Sequence, residues 1–138
     1  MPLVTLTCSK MYYPPDDDIV PPTANQQKVI DLANDLPQLI IDQSEPLGIG
    51  DVPPEAVQVD IKKFHARGVN TVDFWAHVWL TETPDSDEDR YRVRDTLRGL
   101  LKDWLKAHGL KLEIALDVFF GPGVGAIIGR DGETVIDW

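Results

Sequence analysis

The sequence predicts an α+β fold in which two βαβ units form a four-stranded mixed sheet with two helices on one face. Four segments alternate apolar and polar side chains with the period of a strand, and two segments repeat apolar residues with the period of a helix. Their order is strand, helix, strand, then strand, helix, strand. Because βαβ crossovers are right-handed, both helices are expected on the same face of the sheet.

The first unit is expected to begin with a strand at Pro2–Ser9, where β-branched residues alternate. The segment Lys10–Pro22 is rich in proline and aspartate and is expected to be an exposed loop. Thr23 has the spacing of a capping box, and the apolar residues after it predict a helix that Pro37 bends or divides into two. The second strand is expected at Ala56–Phe64.

The second unit is expected to begin with a strand at Val72–Glu82, which carries bulky side chains on both faces. The next helix is indicated by apolar residues at helical spacing between Val93 and Leu105. Acidic residues precede this helix, basic residues follow it, and Gly109 suits the left-handed position at its end. Leu110–Phe120 is expected to be the fourth strand.

The length of 138 residues suits one domain over residues 1–138. Within it, the first βαβ unit is expected at about 2–64, the second at about 71–120, and a glycine-rich tail at 121–138. No disulfide within the chain and no zinc site made of thiolates is possible with the single Cys8. Because no apolar run approaches the length of a membrane span, the expected location is cytoplasmic.

The charge of the chain is acidic, with 13 Lys and Arg against 23 Asp and Glu, a net charge of −10. This balance argues against nucleic acid and anionic membranes as partners, since both require cationic surfaces. The first 61 residues hold only two cations, Lys10 and Lys28. An anionic ligand therefore has to be held by local groups.

Two sequence motifs, together with the length and order of the two βαβ units, resemble the tautomerase superfamily, which includes macrophage migration inhibitory factor, 4-oxalocrotonate tautomerase and 5-carboxymethyl-2-hydroxymuconate isomerase. The chain opens with Met1-Pro2 at the start of a strand, and a glycine-rich turn leads through Pro53-Pro54-Glu55-Ala56-Val57 into the second strand. The resemblance implies a tautomerase-like fold assembled as a homotrimer. It also implies a small-molecule substrate, isomerisation of an unsaturated keto or enol acid, and no metal or organic cofactor.

Pro2 is the catalytic residue that the resemblance implies. Removal of Met1 leaves Pro2 with a free secondary amine, and an α-amine has an ordinary pKa of about 8. An apolar pocket disfavours the cation and lowers this pKa, which makes the amine a general base near neutral pH. Two alternatives remain open: a non-catalytic ligand-binding or structural oligomer, and a hydratase, dehalogenase or decarboxylase in which Asp60 or Asp73 orients water.

The substrate-binding cation is the main departure from the superfamily, because none of the arginine positions of its members is matched here. The basic residues after the second strand are the substitute, and Lys63, His65 and Arg67 are expected to bind a carboxylate at a subunit boundary. A solvated loop is the other interpretation of these residues. His77, between two tryptophans, is either an acid–base partner or a histidine packed in an interface.

Overall fold

The computed structural model describes residues 2–50, 52–64, 72–121, 126–128, 130 and 133–137; for 126–128 and 134–137 the backbone alone is described. The predicted loop His65–Asn70 lies outside these residues, as does part of the glycine-rich tail. The elements are β1 (Leu3–Cys8), α1 (Ala24–Asp42), α2 (Ser44–Leu47), β2 (Gln58–Lys63), β3 (Phe74–Leu80), α3 (Asp87–Ala107), β4 (Ile114–Phe120), β5 (Ala126–Ile128) and β6 (Thr134–Asp137).

The main sheet has the strand order β2-β1-β3-β4. β1 is parallel to β2 and antiparallel to β3, and β3 is parallel to β4. The predicted four-stranded mixed sheet of two βαβ units is therefore confirmed. A separate antiparallel pair is formed by β5 and β6 in the tail.

The hydrophobic core lies between the sheet and the two long helices. Strands β1 and β3 alternate buried with less buried positions, as a sheet does when one face is covered. The buried side chains of the strands and helices form one cluster, whose largest fully buried members are Phe74, Leu6, Leu32, Ile40, Leu80 and Leu97. Both helices thus pack on the same face, as predicted.

The start of α1 is the capping box that the sequence predicts. The Gln26 N–H donates to Thr23 Oγ1 at 3.2 Å, and the Thr23 N–H donates to Gln26 Oε1 at 2.9 Å. Of the two forms expected at Pro37, the structure has one helix rather than two short ones, and α1 ends only at Asp42. The buried Leu36 and Ile40 lie on either side of Pro37, and their packing offsets the lost N–H bond.

All four strands are shorter than predicted, and backbone hydrogen bonds account for the late starts of β2 and β4. Ala56 and Val57 are not in β2, because the residues Pro54–Ala56 form a 3₁₀ turn closed by bonds from Ala56 N to Pro53 O (2.9 Å) and from Val57 N to Pro54 O (3.0 Å). Leu110, the first residue of the predicted fourth strand, belongs instead to the end of α3, because its N–H donates back to Leu105 O at 2.9 Å. β4 therefore begins only at Ile114.

The sheet face that points away from the helices is called the open face. Its side chains are Leu3, Thr5 and Thr7 of β1, Gln58, Asp60 and Lys62 of β2, Trp75, His77 and Trp79 of β3, and Ala115, Asp117 and Phe119 of β4. Trp79 is 45% exposed and Phe119 is 48% exposed. Aromatic side chains on this face therefore remain in contact with solvent in the single chain.

Candidate active site

Pro2 is buried at one end of the main sheet, immediately before β1. Its carbonyl oxygen accepts a hydrogen bond of 3.1 Å from Gln58 N. Continued by one residue, the register of β1 places Val57, just before β2, and Leu80, the last residue of β3, beside Pro2, and both are buried. This end of the sheet, defined by Pro2, Val57, Leu80 and Gly121, is called the proline end.

The backbone at the proline end is held together by Gly121, the first residue of the glycine-rich tail. Gly121 N donates to Leu80 O at 3.2 Å, and Trp79 Nε1 donates to Gly121 O at 3.3 Å. Next to it, the open face has a cavity of about 160 Å³ lined by Leu3, Thr5, His77, Trp79 and Phe119. The start of β1 therefore lies beside a small, mostly apolar cavity.

The described residues beside Pro2 in the strand register, Val57 and Leu80, carry no charge. A buried amine among neutral apolar neighbours loses hydration in its cationic form, which lowers its pKa. These neutral positions do not by themselves hold an anionic substrate.

Lys63, the predicted carboxylate-binding residue, lies at the opposite end of β2 from Pro2. Lys63 pairs with Cys8 in the register, while Leu3 pairs with Gln58, and five residues of strand span about 17 Å. The Lys63 ammonium is 4.7 Å from the centre of the Tyr13 ring, a cation–π contact. Within one chain, Lys63 and Pro2 are therefore not brought together. His65 and Arg67 lie outside the described residues.

His77 belongs to a cluster with Trp75 and Asp117 on the open face. Trp75 Nε1 donates to Asp117 Oδ2 at 2.8 Å, and His77 Nδ1 is 3.5 Å from the same oxygen. The imidazole stacks on the Trp75 ring, with centroids 5.5 Å apart and planes 9° apart, and also lies 6.1 Å from the Phe119 ring. The cluster orients His77 firmly although its side chain is about one third exposed.

A second cluster of the same three residue types joins α1 to α3. Trp104 Nε1 donates to Asp35 Oδ2 at 2.9 Å, the His108 ring stacks on Trp104 at 4.2 Å, and His108 Nε2 is 3.9 Å from Asp35 Oδ2. This cluster is not predicted from the sequence. The i, i+4 spacing of Trp104 and His108 is a local signal for their stacking, but Asp35 comes from another helix.

Asp73, one candidate for orienting water in the hydratase alternative, lies at the end of the sheet opposite Pro2. It accepts a bond of 3.3 Å from the Tyr12 hydroxyl through Oδ1 and one of 3.0 Å from Glu113 N through Oδ2. Burial, and then the charge and hydrogen bond of Asp73, raise the pKa of Tyr12. Asp73 therefore anchors the loop after β1 and does not face Pro2. Asp60 is on the open face.

The arginines of α3 are occupied by acidic neighbours on the same helix. Arg90 is 3.1 Å from Asp87, while Arg94 and Arg98 each approach Asp95 to 3.0 Å. These pairs are exposed and contribute little to stability. Where side chains are described, no group of three or more His, Cys, Asp or Glu is arranged to hold a metal ion. No helix in the described ranges has the length and apolar character needed to span a membrane.

No protein-family model matches the chain, and no curated protein matches it in sequence. Among solved structures, a 5-carboxymethyl-2-hydroxymuconate delta-isomerase aligns with a TM-score of 0.56 at 14% identity, over 94% of this chain and 89% of that chain. A malonate semialdehyde decarboxylase, crystallised as wild type, inactivated, and as a variant with its N-terminal proline replaced by alanine, aligns with a TM-score of 0.51 at 13% identity, over 93% of this chain and 91% of that chain.

A third structure was determined after inactivation by 2-oxo-3-pentynoate. It aligns with a TM-score of 0.50 at 16% identity, over 96% of this chain and 94% of that chain. At these identities the likeness establishes the fold, and it extends over nearly the whole length of each protein. The isomerase and the decarboxylase are tautomerase-superfamily enzymes. The chain therefore has the fold of the tautomerase superfamily.

Proposed function

We propose that the chain is a cofactor-independent tautomerase that isomerises a small unsaturated keto or enol acid, with Pro2 as its general base after removal of Met1. The observation that carries this proposal is the position of Pro2, buried at the start of β1 between Val57 and Leu80 in a tautomerase fold. The structurally similar decarboxylase was crystallised with its N-terminal proline replaced by alanine, and this supports Pro2 as the residue to test here.

The chemistry follows from the surroundings of the amine. The Gln58 N–H holds the Pro2 carbonyl at 3.1 Å, so the ring is fixed to the sheet, and proline has no freedom in φ. The neutral amine takes a proton from carbon or from an enol oxygen of the substrate and returns it at the other position. Apolar neighbours favour the neutral amine before this step.

The substrate carboxylate is proposed to be bound by cations of a neighbouring copy in a homotrimer. Lys63 lies six residues of strand, about 20 Å, along the sheet from Pro2 in its own chain, so only another copy can supply it to this Pro2. His65 and Arg67 follow Lys63 in sequence and are proposed to act with it. The exposed Trp79 and Phe119 on the open face support association of copies through that face.

The first experiment is labelling with 2-oxo-3-pentynoate, the reagent that inactivates one of the structurally similar proteins. The Pro2 nitrogen attacks C4 of the reagent, the alkyne carbon β to the ketone, one carbon–carbon π bond between C3 and C4 breaks, and the nitrogen proton passes to C3. The expected result is a mass increase equal to one reagent molecule, located on Pro2 by peptide mass spectrometry. Labelling is to be accompanied by loss of ketonisation of an enol such as that of phenylpyruvate.

The controls separate the amine from other nucleophiles. Cys8 is the single thiol and is buried, so Cys8→Ala is expected to label as the unchanged chain does. Pro2→Ala keeps an N-terminal amine but makes it primary, and a chain extended before Met1 keeps Pro2 in a peptide bond. We expect that the extended chain is not labelled by 2-oxo-3-pentynoate and does not catalyse ketonisation. Unchanged ketonisation by both variants would refute Pro2 as the base.

A second function is favoured by the lack of charge on Val57 and Leu80, the described residues beside Pro2 in the strand register. In this alternative the same fold serves as a non-catalytic ligand-binding oligomer. Intact mass spectrometry of the protein from its native host distinguishes the two, because retained Met1 leaves Pro2 without a free amine. The other alternative is a hydratase, dehalogenase or decarboxylase in which Asp60 orients water. Incorporation of the oxygen isotope of labelled solvent water at the substrate carbon separates addition of water from isomerisation.

A further inference from the structure

The open face carries one histidine among charged groups whose signs do not balance. The titratable side chains on this face are Asp60 and Lys62 of β2, His77 of β3 and Asp117 of β4, and β1 contributes only Leu3, Thr5 and Thr7. With neutral His77 the face has two negative charges and one positive charge. With protonated His77 the charges of the face sum to zero.

The charges of this face are arranged so that two copies of it are complementary. Lys62 is on β2 at one edge of the sheet, and Asp117 is on β4 at the other edge. A ring of copies that meet head to tail brings Lys62 of one copy toward Asp117 of the next. The exposed Trp79 and Phe119 supply apolar area on the same face. These charges and this apolar area favour a second copy of this chain as the occupant of the open face.

His77 is held where this association will remove water from it. Its Nδ1 lies 3.5 Å from Asp117 Oδ2, and its ring stacks on Trp75. Asp60 lies in the same row of the sheet, one strand beyond Thr5. When a second copy covers the open face, burying a carboxylate without a compensating positive charge raises the free energy of the assembly. A proton on the imidazole supplies that charge.

We propose that His77 takes up a proton when copies associate through the open face, so that assembly is favoured at lower pH and weakened as the pH rises. This inference rests on the assembly stated above as part of the proposed function. An imidazole changes charge between about pH 5 and 8, so assembly strength varies over this range. Each proton taken up changes the association constant by up to about tenfold per pH unit.

The Asp35–Trp104–His108 cluster provides a matched control within the same chain. It has the same three residue types, the same indole-to-carboxylate bond and a stacked imidazole, but it lies between the helices on the other side of the sheet. His108→Gln removes an imidazole from an equivalent cluster without changing the open face. His77→Gln removes the imidazole from the open face.

The experiment is sedimentation of the full chain at about pH 6, 7 and 8 at constant ionic strength. The unchanged chain and His108→Gln are expected to associate more weakly at each higher pH, whereas His77→Gln and Asp117→Asn are expected to lose this dependence. A pH-independent oligomer, or a His77→Gln or Asp117→Asn chain that keeps the full dependence, overturns the role of His77. Loss of the dependence in His108→Gln also overturns it.

The same sedimentation data distinguish failure of the proposed assembly from failure of the proposed role of His77. A monomer at every pH refutes the assembly, and the role of His77 with it. An oligomer that does not respond to pH refutes the role of His77 and leaves both the assembly and the chemistry of Pro2 standing.

Discussion

The buried thiol of Cys8 is expected to make the free energy of unfolding fall in alkaline solution. Cys8 is fully buried in β1, and burial raises its pKa from 9.0 to about 11. The unfolded chain therefore loses this proton at a lower pH than the folded chain does. The contribution is fully present below about pH 9 and is lost as the pH rises toward 11. The loss is about 1 kcal/mol near pH 10 and about 2 kcal/mol near pH 11.

Urea unfolding of the unchanged chain and of Cys8→Ala tests this prediction. Both chains contain Tyr12, whose pKa is also raised, and the same lysines, so the difference between their free energies of unfolding isolates Cys8. This difference is expected to be constant up to about pH 8 and then to fall by about 1 kcal/mol near pH 10. A difference that stays constant from pH 8 to pH 11 would refute the argument that burial keeps the thiol protonated.

Two further predictions concern the helices. Thr23→Ala removes the side chain that caps α1 and is expected to lower the free energy of unfolding by about 1 kcal/mol, while Thr23→Ser restores most of it. Gly99→Ala, in the interior of α3, places a methyl group where nothing lies within 4 Å and is expected to raise the same free energy by about 0.5–1 kcal/mol. Gly109→Ala is the matched contrast, because φ is +63° there and the substitution is expected to destabilise. Denaturant unfolding of the four variants measures all of these effects, and a destabilised Gly99→Ala chain would contradict the second.

Local patterns predict the elements of this fold because burial of one face leaves a periodic trace in the sequence. The spacing of Val93, Leu97 and Leu101 along α3 and the alternation of β1 follow directly from which side chains meet the core. The ends of elements are less predictable, since they depend on hydrogen bonds of single residues. Pro54, for example, begins a 3₁₀ turn that delays β2 to Gln58.

The candidate site also has features that the sequence predicts and features that it does not. A proline at the start of a strand is visible in the sequence, and its burial follows from that strand being central in the sheet. The place of Lys63 is not visible, because it depends on the parallel register of β1 and β2, which sends β2 away from Pro2. Asp117 meets His77 only through the pairing of β3 with β4.

By itself the sequence determined the acidic charge, which is a matter of composition, and the two βαβ units, which depend on patterns among residues close together along the chain. Pro2 is the candidate base that the resemblance to the tautomerase superfamily implies. The tertiary structure decided which charged groups meet. It brought Asp35 to Trp104 and Asp117 to Trp75 across 69 and 42 residues, and it placed Lys63 at the far end of the sheet. Strand register and helix packing determine which side chains pair in this way, and neither can be predicted from short-range sequence patterns.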